Sequence, residues 1–250
     1  MNYCITIFGC KKYQDIAQVF VKELEFWNKN LLSKSVFFTD DFIEDLNIKQ
    51  IEIKEDISWS MRVAKSLENI DEDYILFLLD DYIIKEKVNI NHVEMIINSS
   101  KSFGVKYCRL IDTPSEKSFG DMRPIKVDNY GINLQPAIWD RKFLISILKK
   151  IDSNPWITET SLHNFFTINE NNYQGAFGYN FIDYYLNAVI KGKWSRDVPS
   201  NLITGSDRLK MSRFEWLYYR IKGVTSNSLN TKTKLIVKSI LKKIGFNFYS

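Results

Sequence analysis

Six residues in a row, Tyr74 to Leu79, are apolar or aromatic, and they run directly into two carboxylates, Asp80 and Asp81. An unbroken apolar run of this length is the pattern of a strand buried on both faces, and such strands belong to parallel sheets covered by helices. A buried helix segment competes, but the aromatic and β-branched content and the charges at both ends favour a strand. In open α/β sheets, ligands bind outside the carboxyl ends of the strands, and Asp80-Asp81 stands at such an end. Adjacent carboxylates there are costly unless positive charge compensates them. A hard divalent cation carrying a phosphate does so, because Mg²⁺-type ions favour one or two carboxylates plus substrate oxygens. The competing reading of Asp-Asp after a strand is ordinary turn chemistry.

The rest of the chain fits an α/β order. Tyr3 to Phe8 reads as a strand entering Gly9, and Gln14 to Asn28 repeats at helical spacing with Ile16, Val19, Phe20 and Leu24 on one side. Ser35 to Thr39 and Lys49 to Ile53 read as short strands. Ser58 offers an N-cap to a helix through Ile70. The order β-α-β-β-α-β predicts a largely parallel sheet with helices on its faces. Asn91 to Ser102 reads as a helix capped by Asn91 and closed by Gly104. Val105 to Ile111 reads as a strand, and residues 112–122 as a long polar loop suited to a lid. Ile125 to Val127 and Ile132 to Ile138 are expected to pair. Asp140 caps a helix whose inward face is Phe143, Leu144, Ile147, Leu148 and Ile151. Trp156 to Phe166 starts a further helical segment after Pro155, and Tyr173 to Ile190 is ambiguous.

Composition sets outer bounds. With 45% hydrophobic residues, 250 residues can bury a sizeable core as one large α/β domain, with or without an appendage. No window has eighteen consecutive apolar residues, and the N-terminal segment reads as a first strand and not as a signal peptide. Cys4, Cys10 and Cys108 lack metal-type spacing and suit a reducing cytosol. His92 and His163 are too few for a histidine-rich metal site. The net charge of +4 is unevenly placed: residues 206–250 hold ten Lys or Arg against Asp207 and Glu215, so the tail is +8 and residues 1–205 are −4.

Three ordered motifs carry a resemblance. Leu79-Asp80-Asp81 follows the buried strand, Gln135-Pro136-Ala137-Ile138-Trp139 precedes a helix, and Pro155-Trp156-Ile157-Thr158-Glu159 follows some twenty residues on. Together with the N-terminal β-α-β sheet, the set resembles nucleotide-sugar-dependent glycosyltransferases of the GT-A fold, in particular bacterial enzymes of capsular or other surface polysaccharide synthesis. The resemblance covers roughly residues 1 to 200. It implies a single GT-A-like, Rossmann-like domain over 1–205, with a mostly parallel sheet flanked by helices. A basic helical extension over 206–250 lies outside it. It also implies an inverting, hexosyltransferase-type reaction that uses Mn²⁺ or Mg²⁺, with a nucleotide-sugar donor and a saccharide or lipid-linked saccharide acceptor.

The resemblance also assigns roles. Asp81 matches the metal-binding position and Asp80 the ribose or a metal-bound water; Tyr82 departs from a strict Asp-x-Asp. Glu159 matches the acidic position of the later motif and is the expected general base, with Asp183 the alternative. Glycosyl transfer needs those parts, since a metal stabilises the leaving diphosphate and a carboxylate takes the proton of the acceptor hydroxyl. An apolar surround from Trp156, one helical turn away, is expected to raise the Glu159 pKa. For Glu159 the competing reading is an acid favoured near a helix start.

Further donor-binding candidates are Phe8 and Gly9 at the end of the first strand, by fold analogy alone, Arg62 in the Ser58 helix, Gln135 and Trp139 in the second motif, and Lys193 in a Lys193-Trp194-Arg196 cluster. Core packing is the rival reading for Trp139, as a solvated helix surface is for Arg62.

In the tail, residues 231–244 place Val237, Ile240, Leu241 and Ile244 on one side and Lys238 and Lys242 on the other. That pattern suits either docking on the body or an anionic membrane surface, which would make a cytoplasmic enzyme peripheral at the inner face of the membrane. Two rival functions stand beside the main one. A nucleotidyltransferase acting on a sugar phosphate shares the carboxylates, metal and nucleotide, but Gly9-Cys10-Lys11-Lys12 is a poor phosphate loop. A non-catalytic protein binding membrane or nucleic acid through the tail is the other. Nucleic acid is disfavoured, because the body is acidic and the basic residues form no long stripe with interleaved aromatics.

Overall fold

In a computed structural model, the chain divides into two compact units, Met1–Ala188 and Val189–Ser250. The structure describes residues 3–110, 122–124, 132–166, 168–169, 172–173, 175–178, 182–185 and 187–228. The expected lid over 112–122 falls outside them except for Met122, as do the expected strand Ile125–Val127 and the tail helix over 231–244.

The first unit is built on an eight-stranded sheet. Its first half is β1 (Tyr3–Phe8), β2 (Ser35–Thr39), β3 (Lys49–Glu52) and β4 (Tyr74–Leu79), in the order β3-β2-β1-β4 and all parallel. All six residues of β1 are buried, as are the first five of β4, as continuous apolar runs demand of strands covered on both faces. Phe8 stacks on Phe38 and Phe77, with ring centroids 5.1 and 4.8 Å away. Three aromatic rings thus tie β1, β2 and β4 at their carboxyl ends.

The second half of the sheet changes direction. After β5 (Ile83–Ile84), β6 (Tyr107–Arg109) and β7 (Met122–Pro124), β8 (Ala137–Asp140) inserts antiparallel between β4 and β6. The short pairs β9 (Ile168–Asn169) and β10 (Asn172–Tyr173) form their own ribbon, and β11 (Gly175–Gly178) pairs parallel with β6 and antiparallel with β7. The α/β fold with helix-flanked sheet is therefore as expected, but the sheet is mixed. Residues 132–136 are not strand. Only Ala137–Asp140 enters the sheet, and its partners are β4 and β6. Finally β12 (Tyr184–Tyr185) pairs with β5 and returns the chain to the end of β4, where the Ala188 amide donates to the Asp81 carbonyl at 3.1 Å.

The helices follow their local signals. In α1 (Gln14–Leu32), Ile16, Ala17, Phe20 and Leu24 face inward, and the helix kinks at Asn28. The Asn28 side chain leaves its own helix to bond Glu86 O and Val88 N at 3.2 and 2.7 Å. The Ser58 hydroxyl accepts from Met61 N to cap α2 (Trp59–Leu67), and Asp140 accepts from Phe143 N to cap α4 (Arg141–Ile151). The cap of α3 (Ile90–Phe103) is Asn89 and not Asn91: its side chain accepts from His92 N, and Gly104 closes the helix with φ 66°. The α2 and α4 helices pack on each other. The expected helical segment after Pro155 is α5 (Pro155–Ser161), continued by a 3-10 turn over Leu162–Phe165.

The second unit contains a hairpin of β13 (Val189–Ile190) and β14 (Lys193–Trp194), followed by α6 (Arg213–Ser228). Trp194 is fully buried, and its indole N–H donates to Ser206 Oγ at 2.9 Å.

Candidate active site

Because β1 to β4 run parallel, their carboxyl ends share one edge of the sheet. That edge gathers Gly9, Cys10 and Lys11 after β1, Asp40 and Asp41 after β2, and Asp80 and Asp81 after β4. Antiparallel β8 brings its amino end to the same edge, so the residues preceding it, Asn133 to Pro136, approach the end of β4. The first and second sequence motifs are thereby brought toward one place by the pairing of β4 with β8.

The first group is made of β1, β2 and α2 residues. The Lys11 amide donates to Asp40 Oδ1 at 2.7 Å, and Arg62 Nη1 lies 4.0 Å from Asp40 Oδ2. Arg62 Nε is buried with no hydrogen-bond partner. Arg62 thus stands at the expected edge, partly engaged by a carboxylate that the sequence alone shows only as a strand end. Burial, with the negative charges of Asp40 and Asp80, pushes the Cys10 thiol pKa up.

Gly9 is fixed by space. A Cβ built there would run into Asp80 Oδ2 and fall 2.6 Å from Phe37 Cζ. The absence of a side chain lets the β1 loop pass directly over the Asp80 carboxylate. Replacing Gly9 by Ala is expected to lower stability by about 1–3 kcal/mol, because Phe37 sits in a packed core and has no room to retreat. Urea unfolding checks this, and an unchanged midpoint would mean that the neighbours give way freely.

Asp81 is a strongly perturbed carboxylate of the site. Its Oδ1 is buried and has no hydrogen-bond partner. Burial pushes its pKa up to about 6 from 3.8, against a small opposing effect of its own backbone N–H. An orphaned, desolvated carboxylate oxygen suits a hard cation. Among the described residues no group of three or more His, Cys, Asp and Glu side chains can hold a metal. The residues present therefore fit an ion that draws its remaining ligands from substrate oxygens and water, as Mg²⁺-type ions do.

A polar network links this point to Glu159. Tyr82, buried just after Asp81, shares a side-chain hydrogen bond with Gln135, and burial is the main cause of its raised pKa, with the charges of Asp81 and Glu159 adding to it. Gln135 Oε1 accepts from Asn133 Nδ2 at 3.2 Å, and Asn133 Oδ1 accepts from the Gln135 amide at 3.0 Å and from the Tyr107 hydroxyl at 3.2 Å. Glu159 Oε1, presented by α5, accepts from the Leu134 amide at 3.2 Å. The third motif is thus bonded to Leu134, the residue just before the second motif, and the second motif reaches the end of the first through Tyr82.

Other candidates are placed elsewhere. Trp139 is fully buried, 4.5 Å from the Tyr107 ring and 6.1 Å from Phe166; as core, its ring is closed to a sugar. The Phe8 ring is likewise core, so only its backbone faces the edge. Trp156 is 77% exposed and supplies no apolar enclosure for Glu159. Asp183 is exposed and paired with Lys85 at 3.2 Å. Lys193 belongs to the second unit and pairs with Glu215 at 2.6 Å. Sequence reasoning does not find Asp40, Tyr82 and Asn133; for Tyr82 a signal is present, an aromatic directly following the acidic pair.

No protein-family model matches the chain, and no curated protein does. Among solved structures, the fold is similar to S. aureus TarS 1-349 at 10% identity and a TM-score of 0.44, over 74% of this chain and 59% of that one. It is also similar to a cytidylyltransferase from Leptospira borgpetersenii at 12% identity and 0.44, over the whole of both chains. A third likeness is a CMP:2-keto-3-deoxy-manno-octonic acid synthetase complexed with CTP, at 11% and 0.42, over 72% and 89%. These are distant likenesses of fold, and none assigns a reaction to this chain.

Proposed function

We propose that the chain is a metal-dependent, inverting glycosyltransferase that moves a hexosyl group from a nucleoside diphosphate donor to a saccharide or lipid-linked saccharide acceptor. Its setting is cytoplasmic synthesis of a surface polysaccharide such as a capsule. The observation that carries the reading is the array at the sheet edge, in which Tyr82, next in the chain to the Asp80-Asp81 pair, bonds Gln135, and the adjoining Leu134 amide holds the Glu159 carboxylate. Acid groups of two kinds are what this reaction needs: one desolvated site for a cation and one carboxylate open to an acceptor.

Asp81, with Asp80 beside it, would hold Mn²⁺ or Mg²⁺. When bound, the ion supplies Lewis-acid stabilisation of the leaving diphosphate. Arg62 stands ready to add positive charge to the same phosphates. Gly9 lets the β1 loop pass over the Asp80 carboxylate, and Gln135 is positioned to hydrogen-bond a sugar hydroxyl. Glu159 takes the proton from the acceptor hydroxyl as its oxygen attacks the anomeric carbon, and the bond to the diphosphate breaks on the opposite face. The Leu134 amide fixes one Glu159 oxygen and leaves the other for that proton.

Thermal unfolding with Mn²⁺ and UDP, GDP, CDP, ADP, CMP or CTP tests the reading. A ligand present at about a hundred times its Kd stabilises the native state by about 2.7 kcal/mol, or about 5–10 °C for a chain of this size. A Mn²⁺-dependent shift with one diphosphate is expected. A shift with the triphosphate alone would point instead to nucleotidyl transfer onto a sugar phosphate. No shift from a well-folded protein would argue against both.

A further inference from the structure

In the second unit, α6 is turned the wrong way round for a helix of a soluble domain. Its polar and hydrogen-bonding side chains face the rest of the unit. Glu215 pairs with Lys193 at 2.6 Å, the Trp216 indole N–H donates to Asp197 at 3.1 Å, and Arg220 pairs with Asp197 at 2.9 Å. Lys191 lies over the Tyr219 ring at 5.5 Å. Residues 215, 216, 219 and 220 therefore anchor one side of the helix by polar contacts. The opposite arc carries Phe214, Leu217 and Ile221, at the three- and four-residue spacing of one helical face, and these are 80%, 48% and 38% exposed. Leu209, just ahead of the helix, is 71% exposed. Contiguous large apolar side chains on a surface mark a contact with a partner or a membrane.

The charge of the unit selects between those. Residues 189–250 hold thirteen Lys or Arg and only Asp197, Asp207 and Glu215 as acids, a net charge of +10, whereas residues 1–188 are −6. Two of the three acids, Asp197 and Glu215, are already engaged in ion pairs with Arg220 and Lys193. A second copy of so basic a unit would repel this one. A nucleic acid would use the positive charge but has no need of Phe214, Leu209 and Leu217 in water. An anionic lipid surface uses both at once, since basic residues draw the helix down and apolar side chains enter the boundary between headgroups and acyl chains.

We propose that α6 is an interfacial membrane-docking element, laying Phe214 and Leu217 into the surface of an anionic lipid layer. The proposal concerns the described helix itself, and it stands or falls independently of the reaction assigned to the first unit.

Flotation of the full-length protein with vesicles tests it, comparing phosphatidylcholine alone with phosphatidylcholine mixed with phosphatidylglycerol. The wild-type chain is expected to float with the mixed vesicles and to stay behind with the neutral ones. The double variant Phe214→Ser, Leu217→Ser is expected to lose about tenfold or more of its partitioning. Its surface position leaves folding intact, which circular dichroism and the melting temperature verify. A second variant, Trp156→Ser, removes an exposed aromatic elsewhere and is expected to float like the wild type. Equal flotation of the Phe214/Leu217 variant and the wild type would overturn the assignment to α6. Absence of wild-type flotation would overturn the membrane proposal outright, as would self-association or RNA binding that the double variant abolishes while vesicle binding is absent. Donor-induced thermal shifts read the first unit separately, so failure of one reading leaves the other measurable.

Discussion

Replacing Asp81 by Asn is expected to stabilise the ligand-free protein at pH 8 and to abolish metal-dependent donor binding. The two effects have one origin. Burial raises the Asp81 pKa to about 6 from 3.8, so the folded protein holds this proton more tightly than the unfolded chain does. The favourable contribution is fully present below the unfolded pKa and is lost as pH rises through about 6. By pH 8 the buried charge costs about 3 kcal/mol, from a shift of about 2 units at 1.36 kcal/mol each. Asn keeps the shape and carries no charge at any pH. The difference in melting temperature between variant and wild type should therefore grow in favour of the variant between about pH 4 and pH 8. A cation with a nucleoside diphosphate should raise the wild type at pH 8 and leave the variant where it was. Parallel pH profiles would show that Asp81 is better solvated than its buried Oδ1 implies. A persisting Mn²⁺-dependent shift in the variant would remove the metal assignment.

That combination of cost and use explains how an acidic pair survives at the end of the most apolar strand. A carboxylate buried for packing alone would be hydrogen-bonded, since an unsatisfied buried charge is among the costlier features of a fold. Asp81 Oδ1 has no such partner.

The sequence reveals the first half of this site better than the second, for physical reasons. A strand covered on both faces must be apolar throughout, so β4 and the edge at which it ends are readable from one run of six residues. Helix caps are local chemistry, and Ser58 and Asp140 cap as their positions suggest. For α3 two asparagines stand within three residues, and periodicity does not choose between Asn89 and Asn91. Strand direction leaves no local mark: nothing in Ala137-Ile138-Trp139 distinguishes a parallel strand from an antiparallel one, nor a sugar platform from a core tryptophan. Insertion of β8 beside β4 decides both. It buries Trp139 against Tyr107, and it carries Asn133 and Gln135 to Tyr82 and Asp81. Contacts between residues so far apart in the chain become visible only once that register is known. The outward face of α6 is hidden differently, because its apolar spacing looks like that of any docked helix. The polar contacts of Glu215, Trp216, Tyr219 and Arg220 reveal which side is docked.

Changing Glu159 to Gln is expected to leave donor binding intact and to lower transfer by about 10²–10⁴-fold, the usual worth of a positioned general base. The amide is the informative substitution here. Glu159 Oε1 also accepts the Leu134 N–H, and the carbonyl oxygen of Gln can keep that bond, so the Asn133–Gln135 segment stays in register with Tyr82. Ala would remove both the bond and the base, and its loss of activity would confound position with proton transfer. In the Gln variant the Mn²⁺-dependent thermal shift with the nucleoside diphosphate should match the wild type, because Asp81 and Arg62 are untouched. The acceptor still binds, but its hydroxyl has nowhere to send its proton. An anionic nucleophile such as azide, which carries no proton to remove, should restore turnover of the donor in the opening that Glu159→Ala leaves. Rescue of Glu159→Ala by azide with inversion at the anomeric carbon would therefore separate the base from the scaffold. Wild-type transfer rates in Glu159→Gln would place the base elsewhere. Asp183 would be the next carboxylate to test, freed from its exposed pairing with Lys85.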